Sequence, residues 1–492
     1  MLFSSREFIL GFLPVCLCGF FALGRLGGRR WALGWLLLAS LFFYGWWAPR
    51  FVALLLGSVA FNLLLGRHVS QLAVAGRESV ARAWLIFGIS TDLALLGWFK
   101  YANFLLTSFG AMAGLDLPTL NLFLPLAISF FTFQQILFLL DCRARPEIAG
   151  EGLSYACFVA FFPHLIAGPI VRPSEILPQF RAADVATPQS ANLTAGLSIF
   201  LLGLAKKLVL ADMFGRFADV GFNAAAGGAT LSLFEAWYAA LAYALQIYFD
   251  FSGYSDMAIG LARMFNIRFP LNFASPYRAT DITDFWRRWH ISLSRFLRDT
   301  VYIPLGGNRR GELRRQTSLM ATMLLGGLWH GAAWNFVFWG ALHGVFLVVH
   351  GMWRRGQVRL PRPLGQLLTI LAVVVAWVPF RADGFAATQR MLHAMAGLDG
   401  VFLPRMIVEA VPGLRMLIQP VPVLSFLGDA RTLSFPEVTA CLALGWAIAL
   451  LAPHVQELTE RARGLALTGS FALTVQALFF APNVSPFLYF RF

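Results

Sequence analysis

Charged side chains are scarce in this chain. Only 13% of its 492 residues are Asp, Glu, Lys or Arg, about half the fraction of an average soluble protein. With 58% hydrophobic residues, a water-soluble fold would leave large apolar patches in contact with water. That excludes the two or three soluble domains that the length alone would permit. Cysteine is scarce too. The five present, Cys16, Cys18, Cys142, Cys157 and Cys441, form no metal-type set with histidines. They read as small apolar residues, not as a disulfide framework or zinc site. No H-E-x-x-H, G-x-S-x-G or P-loop string occurs. No A-x-A-like cleavage site follows the first apolar run at 8–23, so that run reads as a first span rather than a signal peptide. No internal repeat of the kind that marks secondary transporters is visible.

Long apolar runs are abundant. Stretches 51–65, 84–99, 120–140, 364–380, 440–452 and 465–480 reach or approach the ~20 residues of a spanning helix. The net charge of +14 is not gathered in one stripe or tail, which argues against nucleic acid as a partner. It sits in clusters between apolar runs: Arg25, Arg29 and Arg30; Arg309, Arg310, Arg314 and Arg315; Arg354, Arg355, Arg359 and Arg362. Such clusters mark cytoplasmic loops and contact anionic membrane lipid. The first of them follows the first run, which puts the N-terminus outside. The stretch 197–214 carries Lys206 and Lys207 and is expected to end near an interface. The stretch 383–436, with Pro404, Pro412, Pro420 and Pro422, reads as loops and interfacial helices. The chain divides by character into N-terminal helices (1–245), a polar-laced core (246–350) and a C-terminal part (351–492) within one membrane domain.

The core holds the candidate chemistry, because polar groups at membrane depth need a bundle interior or a wet cavity. Residues 284–294 include Asp284, Trp286, Arg288, Trp289, His290 and Ser294. Read as one amphipathic interfacial helix, they put Trp286, Trp289, His290 and Leu293 on a single apolar stripe. His290 there is either functional or a core histidine bonded to a carbonyl or carboxylate. The run 319–349 exceeds one span and carries Trp329, His330 and Asn335 near its middle. Gly327 and Gly331 bracket His330, and Gly340 and Gly344 bracket His343, in G-x-x-x-G pairs that permit close helix approach. Residues 244–261 carry Gln246, Asp250, Ser252, Tyr254, Ser255 and Asp256. Their carboxylates need partners, either arginines of the following helix or a histidine. A spacing of six sets Asp250 and Asp256 on different faces, against a paired-carboxylate site. His68, His350, His393 and His454 lie at segment ends and read as solvated. His164 and His343 read as core histidines.

A histidine at such depth suits proton removal. Attack of an alcohol on a thioester sheds the alcohol proton as the bond forms, and a neutral imidazole is the usual general base, worth about 100- to 10,000-fold. The developing oxyanion also needs a donor. Asn335, His290 or a tryptophan N–H such as that of Trp329 could supply it, and the sequence leaves that choice open.

The strings from Tyr248 to Asp256 and from Asp284 to Ser294, with Leu328-Trp329-His330-Gly331, resemble the signature of the membrane-bound O-acyltransferase family in order and spacing. So do residues 124–134, Phe161-Phe162-Pro163 and Ala167-Gly168-Pro169-Ile170. Within the family the chain is similar to the alginate O-acetylation branch, including its ending from Phe487 to Phe492. The resemblance implies an all-α, multi-pass bundle of roughly a dozen helices, some re-entrant or interfacial, around a central funnel. It maps the family's signature histidine onto His330 and a second histidine onto His290, with Asn335, Asp256 and Trp329 as candidate substrate-binding residues. It implies no resident cofactor or metal, acetyl-CoA as acyl donor, and a bacterial inner-membrane setting. It also implies extracytoplasmic acetyltransferase partners, with an exopolysaccharide as acceptor. Peptidoglycan or cellulose are alternative acceptors. Rivals of another class are a transporter or flippase for an acyl or glycolipid carrier, and a scaffold in a polymer-export complex.

Overall fold

A computed structural model describes residues 1–357, 360–401, 403–404, 420–421, 435–480 and 485–488. Apart from one two-residue strand pair, Leu403–Pro404 beside Pro420–Val421, the regular structure among them is helical. Apolar runs fold into helices because only internal hydrogen bonding satisfies the backbone away from water. The main helices are α1 (Glu7–Gly27), α2 (Arg29–Gly45), α3 (Val52–Val74), α4 (Glu78–Ala113), α5 (Ile128–Ala144), α6 (Ser190–Ala226) and α7 (Leu233–Met264). They continue as α8 (Ile282–Arg288), α9 (Ile291–Leu297), α10 (Glu312–His330), α11 (Trp334–Arg355), α12 (Arg362–Arg381), α13 (Gly384–Met395), α14 (Phe435–Leu451) and α15 (Glu460–Phe480). Six helices among the described residues are long and apolar enough to cross a membrane, including α1, α4, α6, α11 and α12. The chain is a multi-pass membrane protein.

Several expectations change. The run 120–140 is helical only from Ile128, and α5 is buried on nearly every side, so it is an interior helix. The run 84–99 does not stop at Lys100. It continues through a π-helical turn, Gly97–Tyr101, to Ala113. The run 319–349 is two antiparallel helices, α10 and α11, joined through residues 331–333, so His330 and Asn335 lie at helix ends rather than mid-span. A Cβ on Gly327 would collide with the carbonyl of Phe336, and one on Gly340 with that of Met323. These glycines therefore set the closeness of the hairpin. The division at residue 245 falls inside α7 and marks chemistry rather than a structural boundary. Pro412, Pro422 and the ending from Tyr489 to Phe492 lie outside the described residues.

Arg315 and Arg355 both bond Glu312 at the open end of the α10–α11 hairpin, about 28 Å from its tip by the length of the 19-residue α10. Arg29 forks onto Glu151 at 2.8 and 3.0 Å, and Arg172–Asp299 and Arg295–Glu175 are further ion pairs.

Two apolar cores meet across α7. Its N-terminal half packs with α6, α8, α11 and α12, its C-terminal half with the N-terminal helices. Helix α7 lies almost against α6. A Cβ on Gly203 would come within 2.6 Å of the Gly253 carbonyl, and one on Gly196 within 2.6 Å of the Gly260 carbonyl. That crossing brings polar residues of α6 and α7 together at depth.

Candidate active site

The singled-out residues converge on the C-terminal end of α10. His330 is its last residue, and Gly331 leaves the helix extended at φ −160°, ψ 148°. A helix that stops this way leaves its final carbonyls without intrahelical partners. Helix α4 supplies them. Tyr101 Oη donates to Leu328 O at 3.0 Å, and Lys100 Nζ donates to Trp329 O and, at 3.3 Å, to His330 O. The His330 ring sits among aromatic faces, with centroid distances of 4.8 Å to Trp329, 5.1 Å to Trp339 and 5.0 Å to Phe380. The residue is 5% exposed, so it faces the protein interior rather than lipid.

His290 arrives from a different direction. The expected single helix over 284–294 is broken. Helix α8 ends at Arg288, His290 takes a left-handed conformation at φ 43°, ψ 55°, and α9 begins at Ile291. Periodicity could not reveal this, since neither Gly nor Pro marks the break. The conformation costs roughly 1–2 kcal/mol for a residue with a Cβ and persists only where surroundings impose it. Here Asn272 imposes it. Its carbonyl accepts from Ile291 N at 3.0 Å, and its Oδ1 accepts from Ser292 N at 3.1 Å and Ser292 Oγ at 2.9 Å. The segment is also no interfacial helix, because His290 is fully buried. Its ring stands edge-on to Phe251 at 4.7 Å and 6.1 Å from the Trp329 ring. Neither of its ring nitrogens has a hydrogen-bond partner among the described residues.

A small cavity of about 20 Å³ adjoins His330, room for roughly one water. Asp250, Tyr254, Trp289, Phe380 and Leu488 are among its walls. An outer vestibule of about 740 Å³ lies at the hairpin tip, bordered by Ser108, Trp334, Asn335, Arg381 and Asp383. Phe380 and Leu488 line both spaces, so one layer of side chains parts them. Among the described residues these two spaces lie where a funnel was expected.

The remaining candidates separate. Asn335 borders the vestibule, and its Nδ2 donates to Ala382 O at 3.0 Å. Trp329 stacks on Phe133 at 5.4 Å and bridges the two histidines. Asp256 lines neither space and pairs with Lys206 at 2.7 Å. Asp250 lines the cavity. Its Oδ1 accepts from Lys207 at 2.7 Å and its Oδ2 from Leu488 N at 3.0 Å. The partners of these carboxylates are therefore lysines of α6, not arginines of the following helix or a histidine. Lys207 is buried inside the bundle rather than at an interface. It also binds Asp212 and Ser485 Oγ, each at 2.8 Å.

Among the other histidines, His164 bonds Gln134 at 2.7 Å and Phe158 O at 2.8 Å, as a core residue should. His350, His393 and His454 each face a carboxylate. Among the described residues no cluster could hold a metal ion. Sequence reasoning missed Lys100 and Tyr101. Their one signal was a lysine interrupting an otherwise apolar run.

The family model described as MBOAT, membrane-bound O-acyltransferase family, matches residues 122–380, a stretch that contains His290, His330, Asn335, Asp250 and Asp256. The chain is 43% identical over 440 residues to the peptidoglycan O-acetyltransferase of Helicobacter pylori, covering 83% of this chain and 82% of that protein. It is 42% identical over 407 residues to the probable alginate O-acetylase AlgI of Pseudomonas aeruginosa, covering 80% and 75%. A more distant relative is the teichoic acid D-alanyltransferase of Streptococcus thermophilus, 31% identical over 244 residues, with coverage of 47% and 57%.

Proposed function

This chain belongs to the membrane-bound O-acyltransferase family and is an O-acyltransferase, and we propose that it relays acetyl groups across the bacterial inner membrane to an exopolysaccharide, alginate in the first reading. The donor is acetyl-CoA, bound from the cytoplasmic side. The acceptor hydroxyl, on the polymer or on an extracytoplasmic acetyltransferase partner, approaches through the vestibule.

The observation that carries this reading is the seat of His330. Its imidazole stands at the wall of a cavity that shares Phe380 and Leu488 with the vestibule. His330 takes the hydroxyl proton as the oxygen attacks the thioester carbonyl. The tetrahedral intermediate expels the thiolate of CoA, and the imidazolium returns the proton to that sulfur. Atoms and charge balance without a covalent enzyme species. His290 is positioned through Trp329 near the same centre and is the favoured oxyanion donor, because its nitrogens are not engaged among the described residues.

Peptidoglycan is the second reading, since the Helicobacter pylori relative is 43% identical over 440 residues. The test is base-released acetate from cell-surface polymer in cells carrying His330→Ala, normalised to membrane abundance of the variant. Loss of acetate at normal abundance supports the assignment, and unchanged acetate removes it. Digestion with alginate lyase or with muramidase before release then assigns the acceptor. An acetylated form of the chain trapped by mass spectrometry would replace direct transfer with a covalent relay.

A further inference from the structure

Lys100 is a partly buried cation with an unusual set of partners. Among the described residues no carboxylate lies within ion-pair distance of it. It instead donates to the carbonyls of Trp329 and His330, and at 3.4 Å to Ser129 Oγ. Tyr101, the next residue, takes the carbonyl of Leu328. Both stand on the π-helical turn Gly97–Tyr101. Such turns insert an extra residue and often mark functional sites.

The need for this cap follows from the way α10 ends. No glycine in the left-handed region closes the helix, and among the described residues no backbone N–H from 331–333 turns back to its last carbonyls. Those carbonyls carry the negative end of the helix dipole. Uncapped at depth, each would cost a lost hydrogen bond, and the last turn would fray. His330 is that last turn. Its chain neighbours lead into a hairpin tip whose Ala332 and Ala333 border the vestibule, and the tip is next held at Trp334 by Ser108 and at Asn335 by the Ala382 carbonyl.

We propose that Lys100 is a positioning residue for the acyl transfer, holding the terminal turn of α10, and with it the His330 ring, against the cavity. Tyr101 shares the task one carbonyl earlier. The ammonium donates to the terminal carbonyls, and the helix end supplies partial negative charge to a partly buried lysine. Lys100 does not touch the reacting atoms. It acts through His330, and the inference rests on the reading of His330 as the base.

The test compares Lys100→Met, Lys100→Arg, Tyr101→Phe and His330→Ala of the full chain in cells. Base-released polymer acetate is measured per molecule of membrane protein, alongside the thermal midpoint of each variant. Met keeps the length of the side chain and removes the donors. A misplacement near 1 Å lowers turnover by about 100-fold, so Lys100→Met is expected to lose acetate to that extent at near-normal abundance and midpoint. Lys100→Arg keeps charge and donors with a different geometry and is expected to recover a measurable part of the activity. A merely structural lysine would move midpoint and abundance but leave acetate per folded molecule unchanged. Wild-type acetate in Lys100→Met with none in His330→Ala overturns the positioning role and leaves the base intact. Wild-type acetate in His330→Ala overturns the base itself. Where Lys100→Met fails to accumulate, Tyr101→Phe decides: a several-fold loss per molecule supports the cap, and full activity overturns it.

Discussion

Lys207 Nζ lies 2.7 Å from Asp250 Oδ1, with both side chains sealed inside the bundle at 2% and 4% exposure. The pair is at once an ion pair and a strut. Asp250 also holds the Leu488 amide, and Lys207 holds Ser485, so together they pin residues 485–488 into the cavity wall. Breaking a buried pair from one side leaves an uncompensated charge and costs about 3–5 kcal/mol. Asp250→Ala is expected to lose toward the lower end of that range, since Asp212 still faces Lys207 at 2.8 Å. The double variant Lys207→Met/Asp250→Leu removes both charges and is expected to regain most of the thermal midpoint in detergent. Equal midpoints for Asp250→Ala and wild type would refute the strut.

The α10–α11 hairpin offers a contrast between two glycines. A Cβ on Gly327 meets the backbone carbonyl of Phe336, which cannot move without parting the helices. A Cβ on Gly344 comes closest to the Met320 side chain, Sδ at 2.7 Å and Cε at 3.2 Å, a flexible neighbour that can turn aside. Gly327→Ala is expected to cost about 1–3 kcal/mol by overpacking and to abolish acyl transfer. Gly344→Ala is expected to stay near wild type in both. Thermal midpoint and polymer acetate, measured side by side, check the contrast, and a reversed order would sink it.

Much of this was legible in the residues alone. Scarce charge and apolar runs gave the membrane class. Two imidazoles in the 319–349 run, His330 and His343, marked where polar groups enter the bundle. What stayed hidden depends on contacts distant in sequence. Lys207 and Asp250 are brought together by the Gly203–Gly253 crossing of α6 and α7, and no local pattern announces such a meeting. The turn at His290 was invisible for a different reason: Asn272, on a separate segment, forces it. Lys100 looked like the end of a span, because a π-helical turn has no hydropathy signature. The residue types pointed to depth and chemistry, while partners and helix ends needed three dimensions.

His290 allows geometry and chemistry to be separated. Its left-handed backbone at φ 43° is one that glycine adopts without strain. His290→Gly therefore relieves about 1 kcal/mol of backbone strain, which offsets part of the lost ring packing against Phe251. If the imidazole donates to the oxyanion, acetate should fall by about 100- to 1,000-fold while the protein accumulates. His290→Asn tolerates the same backbone and restores a donor, so it is expected to exceed His290→Gly in activity. Equal activity in the glycine variant and the wild type would reduce His290 to a corner of the fold.

The partition of Phe380 and Leu488 carries the last prediction. These side chains line both the cavity at His330 and the vestibule, so on the proposed mechanism they would keep bulk water from the reacting carbonyl. A thioester beside a general base is open to hydrolysis when water enters, and a closed site prevents that side reaction. Truncating both, as Phe380→Ala/Leu488→Ala, joins the two spaces. The acetyl group should then be lost to water instead of reaching polymer. Free acetate released by membranes supplied with acetyl-CoA should rise above wild type while polymer-bound acetate falls. A simple loss of His330 function would lower both, so the opposite movement of the two readouts separates a breached partition from a damaged base. If both fall together at normal abundance, the two side chains are packing for His330 rather than a barrier to water.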